Sequence, residues 1–278
     1  MRTKITYISS AGNKYELNMD GTLHKKLPYF LWSWDVEGTK LQYGTRVSGF
    51  SRKAVTYKAS LLFYDRSQAV RDAIVNALHD DYERDVRNKT LGRVVIGDYY
   101  IDCFIISVDT RDADGVTTDN IEIYCPYPFW VQESYISLPA SQETGGGFLD
   151  FPFDFPFDFT APALGHRKVK SDFPFASEFR MIIYGAAVNP RITINGYQYI
   201  LYATIPAGAY AIIDSRDKSI MMYSNGEKID LFNFRNKSLS VFEKIPAGNL
   251  DITWDASYGV DITVYRERSE PRKEVVGA

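Results

Sequence analysis

Two Asn-Gly pairs constrain this chain more than any other feature. Asn195-Gly196 lies between Arg191-Ile192-Thr193-Ile194 and Tyr197-Gln198-Tyr199-Ile200, and Asn225-Gly226 between Ile220-Met221-Met222-Tyr223 and Lys228-Ile229-Asp230-Leu231. A two-residue type I′ turn needs positive φ at both central positions, which Asn and Gly tolerate, so each pair predicts a tight antiparallel hairpin. A short loop, Ile205-Pro206-Ala207-Gly208, returns as Ile245-Pro246-Ala247-Gly248. Each copy links apolar strand-like segments. A unit that recurs only twice cannot build a solenoid, so the pattern fits a sandwich or jelly roll whose equivalent connections are built alike.

The N-terminal half reads as strands around one helix. The apolar run from Tyr57 to Tyr64 ends at Asp65-Arg66-Ser67-Gln68, which has capping-box spacing, with Asp65 as N-cap and Gln68 at N3. Val70, Ala73, Ile74, Ala77 and Leu78 follow at helical spacing, with Arg71, Asp72, Asn76 and Asp80 on the other side. The mixed-sign run from Asp80 to Asp85 reads as a solvated face. Strands are expected at Arg93 to Ile96, Tyr99 to Val108 and Asn120 to Tyr124. They are broken at Gly97-Asp98 and at residues 109–115, where Asp114-Gly115 suits a hairpin. A chain of 278 residues with 15% aromatics favours a mainly β fold in two domains. Pro126, Pro128 and Pro139 and the Gly145-Gly146-Gly147 run place the passage between them, giving domains 1–132 and 133–278.

The most unusual segment is Phe148-Leu149-Asp150-Phe151-Pro152-Phe153-Asp154-Phe155-Pro156-Phe157-Asp158-Phe159, with an echo at Asp172-Phe173-Pro174-Phe175. Two prolines four residues apart forbid a central strand or an unbroken helix. In a two-residue period Phe151, Phe153, Phe155, Phe157 and Phe159 share one face. Leaving that face in water forgoes roughly 1.5–3 kcal/mol per ring, so it must be covered. Two covers fit: the strip closes a core of its own chain, or it contacts another subunit. These five Phe are the candidate domain or subunit interface.

The sequence selects no reaction chemistry. His24, His79 and His166 are far apart and belong to no metal or nucleophile motif, and Cys103 and Cys125 sit in apolar strand-like runs that suit buried thiols, or a disulfide if the strands are neighbours. Aligning Asp112-Ala113-Asp114-Gly115 with a calcium loop puts Thr110 and Ile121 where acidic ligands are required. The expectation is a non-enzyme without cofactor or metal. Residues 1–130 carry 17 basic and 17 acidic side chains and residues 131–278 carry 15 and 18, so neither half has the basic excess of a specific nucleic-acid binder. No stretch approaches the roughly 18 apolar residues of a membrane span, and residues after Met1 lack a signal-peptide core. The chain is expected to stay in the cytosol until assembled or released.

The Phe-Pro-Phe-Asp repeat, preceded by Tyr127-Pro128-Phe129-Trp130 and followed by Tyr184-Gly185 and Asn189-Pro190-Arg191-Ile192, resembles the domain junction of siphophage distal tail proteins. Ile212-Ile213-Asp214, Phe242-Glu243-Lys244-Ile245-Pro246-Ala247-Gly248 and Val260-Asp261-Ile262-Thr263-Val264-Tyr265 are similar to that family's second domain. The resemblance covers about Tyr124 to Tyr265; the N-terminal part matches in size and helix placement. It implies a tail-tube-like antiparallel β-barrel or sandwich with one packed helix, then a galectin-like β-sandwich of jelly-roll type. It also implies a homohexameric ring at the virion tail tip, assembled in the host cytoplasm, with a channel through which DNA passes. Implied partners are the major tail or tail-tube protein, the tail-associated fibre or lysin protein, and receptor-binding proteins. The competing expectation is a lectin-like sandwich, with Trp254 and Tyr258 as glycan contacts. Alternation of Leu250, Ile252 and Trp254 on one face argues instead for Trp254 in the core.

Overall fold

The computed structural model describes residues 4–18, 22–24, 28–64, 67–140 and 164–272. The chain is mostly β, with 54% of residues in antiparallel strands, one α-helix and no closed barrel among the described residues. Of the barrel or sandwich expected for the N-terminal part, the sheets are therefore those of a sandwich. Two compact units emerge, one of residues 1–132 with 267–278, the other of residues 133–266.

The first unit opens with β1 (Ile5–Ile8), β2 (Lys14–Glu16) and β3 (Thr22–His24). A separate hairpin, β4 (Asp35–Lys40) and β5 (Thr45–Ser51), precedes β6 (Val55–Phe63) and helix α1 (Gln68–Asn88). Then come β7 (Gly92–Ile96), β8 (Tyr99–Ala113), β9 (Val116–Cys125) and the start of β10 (Trp130–Leu138). Pairing runs β3-β6-β9-β8-β7-β1-β2, and Val131 of β10 also pairs with Tyr100 of β8. Alternation decides what the sheet buries. Tyr57, Ala59, Leu61 and Phe63 of β6 lie opposite Ile123, Ile121, Asp119 and Thr117 of β9, and all of these point inward. Asp114 and Gly115 take φ of 52° and 77° in the expected β8–β9 turn, but the strands run up to it, so residues 109–113 are strand and not loop.

Helix α1 departs from its expected phase. It begins at Gln68 with Ser67 at the N-cap position, two residues later than a cap at Asp65 requires; Asp65 itself lies outside the described residues. Ser67 makes no side-chain cap bond, and its carbonyl accepts from the amides of Val70 and Arg71. The buried face is Val75, Leu78, Asp81, Tyr82 and Asp85, whereas Val70, Ala73 and Ala77 are exposed. The expected stripe shares Leu78 with this face, and its Ile74 packs half-buried against the core; it missed the rest because two of the five buried members are carboxylates held by bonds from distant residues.

The second unit is a sandwich built from β11 (Leu164–Val169), β12 (Glu178–Tyr184), β13 (Ala187–Val188), β14 (Arg191–Ile194) and β15 (Tyr197–Ile200). To these it adds β16 (Thr204–Ile205), β17 (Tyr210–Asp214), β18 (Ser219–Ser224), β19 (Glu227–Asp230), β20 (Leu250–Asp255) and β21 (Val260–Arg268). One sheet orders β19-β18-β17-β12-β21, the other β11-β20-β14-β15. Phe179, Met181 and Ile183 of the first meet Ile192, Ile194 and Ile252 of the second in one core. Both Asn-Gly hairpins form as expected, with φ of 48° and 84° at Asn195-Gly196 and 50° and 82° at Asn225-Gly226. The two Ile-Pro-Ala-Gly loops are also alike: Ile205 and Ile245 are buried, and Gly208 and Gly248 take φ of 79° and 77°.

Candidate subunit interface

The first unit presents a surface that the described residues leave uncovered. The β4–β5 hairpin pairs with no other strand among the described residues, and every residue of β4 is exposed. Its residues favour the strand locally: Val36, Thr39, Thr45 and Val47 are β-branched, and Gly44 takes the left-handed φ of 83° in the loop that reverses the chain. A bulge between Glu37 and Gly38 tightens the ribbon. A Cβ at Gly38 would lie 2.4 Å from the Arg46 carbonyl oxygen, so the close approach needs glycine there.

Large side chains on and beside this hairpin stand in water. Tyr43 at the tip is 87% exposed, Phe50 63% and Leu31 73%. Scattered single apolar residues are ordinary on a protein surface, but Val36 and Phe50 are exposed cross-strand partners on this hairpin, which makes it a candidate interaction surface. At the hairpin base lies an open groove of about 670 Å³ lined by Leu31, Trp32, Val55 and Tyr57 and by the cations Arg52 and Lys58. The Arg52 guanidinium sits 5.6 Å from the Trp34 ring centre and 5.0 Å from that of Phe129. Burial holds its pKa below the usual arginine value.

The helix and the N-terminal hairpin are locked by carboxylates. Asp85, fully buried, accepts from Tyr7 Oη at 2.6 Å, from Ser10 Oγ at 2.5 Å and from the Ser10 amide. Asp81 accepts from Asn13 Nδ2 at 2.9 Å and Tyr15 Oη at 2.8 Å and pairs with Arg84. Burial opposes its ionisation, and these partners together with Ser9 outweigh that and hold its pKa below the usual carboxylate value. Asp119 accepts from Thr110 Oγ1 at 2.7 Å and faces His79 Nε2 at 2.9 Å. The run from Asp80 to Asp85 is thus not a solvated face throughout, because Asp81, Tyr82 and Asp85 point into the unit.

The residues singled out from sequence fall elsewhere. Phe151, Phe153, Phe155, Phe157 and Phe159 lie outside the described residues. The echo is described: Phe173 is buried edge-on to the exposed Phe175, and its carbonyl accepts from the Gly248 amide of the second Ile-Pro-Ala-Gly loop. Trp254 and Tyr258, the nominated glycan contacts, are 7% and 3% exposed. The Trp254 indole fills the space over Gly165 on the paired strand, where a Cβ would come within 2.5 Å of the ring, and the Tyr258 hydroxyl bonds the backbone of Arg191. Both rings are spent on packing, so neither offers a face to a sugar. His24 meets Tyr29 and His166 meets Asp251. Cys103 and Cys125 are free, buried and on neighbouring strands; a hydrogen bond to Cys125 and burial push the Cys103 thiol well up. No cluster of metal-binding side chains occurs among the described residues. Sequence reasoning passed over the β4–β5 hairpin; its β-branched residues around Gly44 were the available signal.

No family model matches the chain, and no curated protein matches it in sequence. Solved structures do match in fold. The SPP1 Dit (gp 19.1) protein, described as a paradigm of the hub adsorption apparatus in phages infecting Gram-positive hosts, superposes with a TM-score of 0.62 at 10% identity, over 95% of this chain and 99% of that one. A chain of the phage P2 baseplate in its activated conformation, solved with Ca and again with Sr, gives 0.62 at 10% identity over 98% of this chain and 100% of its own. The structural neighbours are thus phage hub and baseplate proteins, matched along almost the whole chain. At 10% identity the likeness is one of fold.

Proposed function

We propose that this chain is a structural hub protein of the distal tail of a long-tailed phage. In this reading copies assemble as a homohexameric ring mainly through the first unit, join the tail tube to the tail-tip fibre or lysin protein and to receptor-binding proteins, and leave a channel for DNA. The observation that carries it is the fold shared with hub and baseplate proteins over at least 95% of the chain. The exposed β4–β5 hairpin, unpaired among the described residues, supports it, since rings of identical subunits need a surface each copy leaves uncovered. The role is mechanical and not enzymatic, and its setting is the virion tail tip after assembly in the host cytoplasm. The domain division at 132/133 and the Phe-Pro strip as a domain or subunit contact belong to the same proposal.

Negative-stain imaging with mass measurement of the purified chain, alone and with the partner tail proteins, tests it. Sixfold rings are expected. A strictly monomeric species in every mixture and at every concentration would sink the hub reading.

A further inference from the structure

The groove at the hairpin base combines apolar walls with an unpaired cation. Of its three cations, Lys53 pairs with Asp35 at 3.2 Å and Lys58 with Glu122 at 2.8 Å. Among the described residues Arg52 has no carboxylate partner, and its Nη1 is buried without a hydrogen-bond acceptor. A guanidinium presents a planar fork matched to a carboxylate, and leaving one of its N–H groups dry and unpaired is costly. Beside it, the edge of β6 from Val55 to Ser60 pairs with no described strand, since β3 reaches only Leu61–Phe63. Backbone donors and acceptors, aromatic walls and an unmatched cation together suit a proline-containing, acidic, aromatic peptide.

The chain carries one such peptide outside the described residues. Residues 148–159 contain six Phe, two Pro and three Asp, with no Lys or Arg. The other apolar candidate, the hairpin tip of a second copy, carries Lys40 and Arg46 and no acid between residues 38 and 47, so it brings the sign the groove already has. We propose that the groove of one copy receives the Phe-Pro strip of the neighbouring copy, with a strip Asp on the Arg52 fork and Phe rings against Leu31 and Trp32. Such a contact joins unlike surfaces of identical chains, the head-to-tail arrangement that closes rings. It rests on the hub reading and names the contact that reading needs.

The test uses the full chain. A photoreactive phenylalanine analogue replaces Trp32, which is 54% exposed, in an equal mixture of isotope-labelled and unlabelled protein imaged in parallel. Crosslinks from position 32 of one copy to residues 148–159 of another are expected. Arg52→Glu should lower their yield roughly tenfold, and Arg52→Glu with Asp154→Arg should restore it, since the ion pair is rebuilt with reversed sign. Crosslinks confined to one copy, crosslinks to the hairpin instead, or a yield indifferent to Arg52→Glu would each overturn the docking. Rings without the crosslink would overturn it and leave the hub reading standing; crosslinks between copies without rings would do the reverse.

Discussion

The two units bury different kinds of atoms. The second keeps an almost wholly apolar interior, with only Ser177 and Ser215 as buried polar residues among those described. The first buries Asp81, Asp85, Asp119, His24 and several hydroxyl or amide side chains, while Leu31, Tyr43 and Phe50 stay outside. A buried carboxylate adds specificity only where its acceptor sites are filled, and here they are. The first unit therefore fixes the placement of its N-terminal hairpin and helix by directional bonds, whereas the second relies on apolar packing.

The sharpest way to break this contrast is to open the second core. Trp254→Ala should cost about 3–5 kcal/mol, because Gly165 leaves nothing to fill the space. Hydrogen exchange should rise across β14 and β20 and stay unchanged in β6 and β9; equal loosening of the first unit would mean the two interiors are not separate.

The converse test is Asp85→Ala, which strands Tyr7 Oη and the Ser10 donors. A loss of about 2–4 kcal/mol is expected in the first unit. A denaturant midpoint within error of wild type would show that the lock contributes nothing.

A smaller effect should appear in acid. The Asp81 pKa in the folded chain lies below its unfolded value of roughly 3.9, so its stabilisation is complete above that range and is lost as pH falls through it toward the folded value. Wild type should lose first-unit stability more steeply below about pH 4 than Asp81→Asn does. Parallel curves from denaturant melts across pH would place the acid sensitivity elsewhere.

The least change in folding is expected where the contrast predicts it. Phe50→Ser and Tyr43→Ser should leave monomer stability within about 0.5 kcal/mol, since neither ring is buried. Light scattering should nonetheless show weaker assembly; unchanged rings would remove the hairpin from the interface.

Much of the fold was legible because it is decided locally. Asn195-Gly196, Asn225-Gly226 and Asp114-Gly115 reverse the chain through their own torsion angles, and alternation such as Leu250, Ile252 and Trp254 states which face is apolar. The candidate site was not legible in the same way. Val36, Leu41, Val47 and Phe50 read as strand residues whether a sheet covers them or not, and only the folded chain leaves them in water.

The sequence by itself determined the antiparallel hairpins, the mainly β class, the presence of a helix after β6 and the absence of a basic excess in either half. Tertiary structure alone decided which face of α1 turns inward, because the partners that make Asp81 and Asp85 buryable lie more than 60 residues away in Asn13, Tyr15, Tyr7 and Ser10. It also decided that Arg52 stands over Trp34 and Phe129 without a carboxylate among the described residues. Torsional preference belongs to a residue and its neighbours, whereas burial and charge compensation belong to whatever the rest of the chain brings against it.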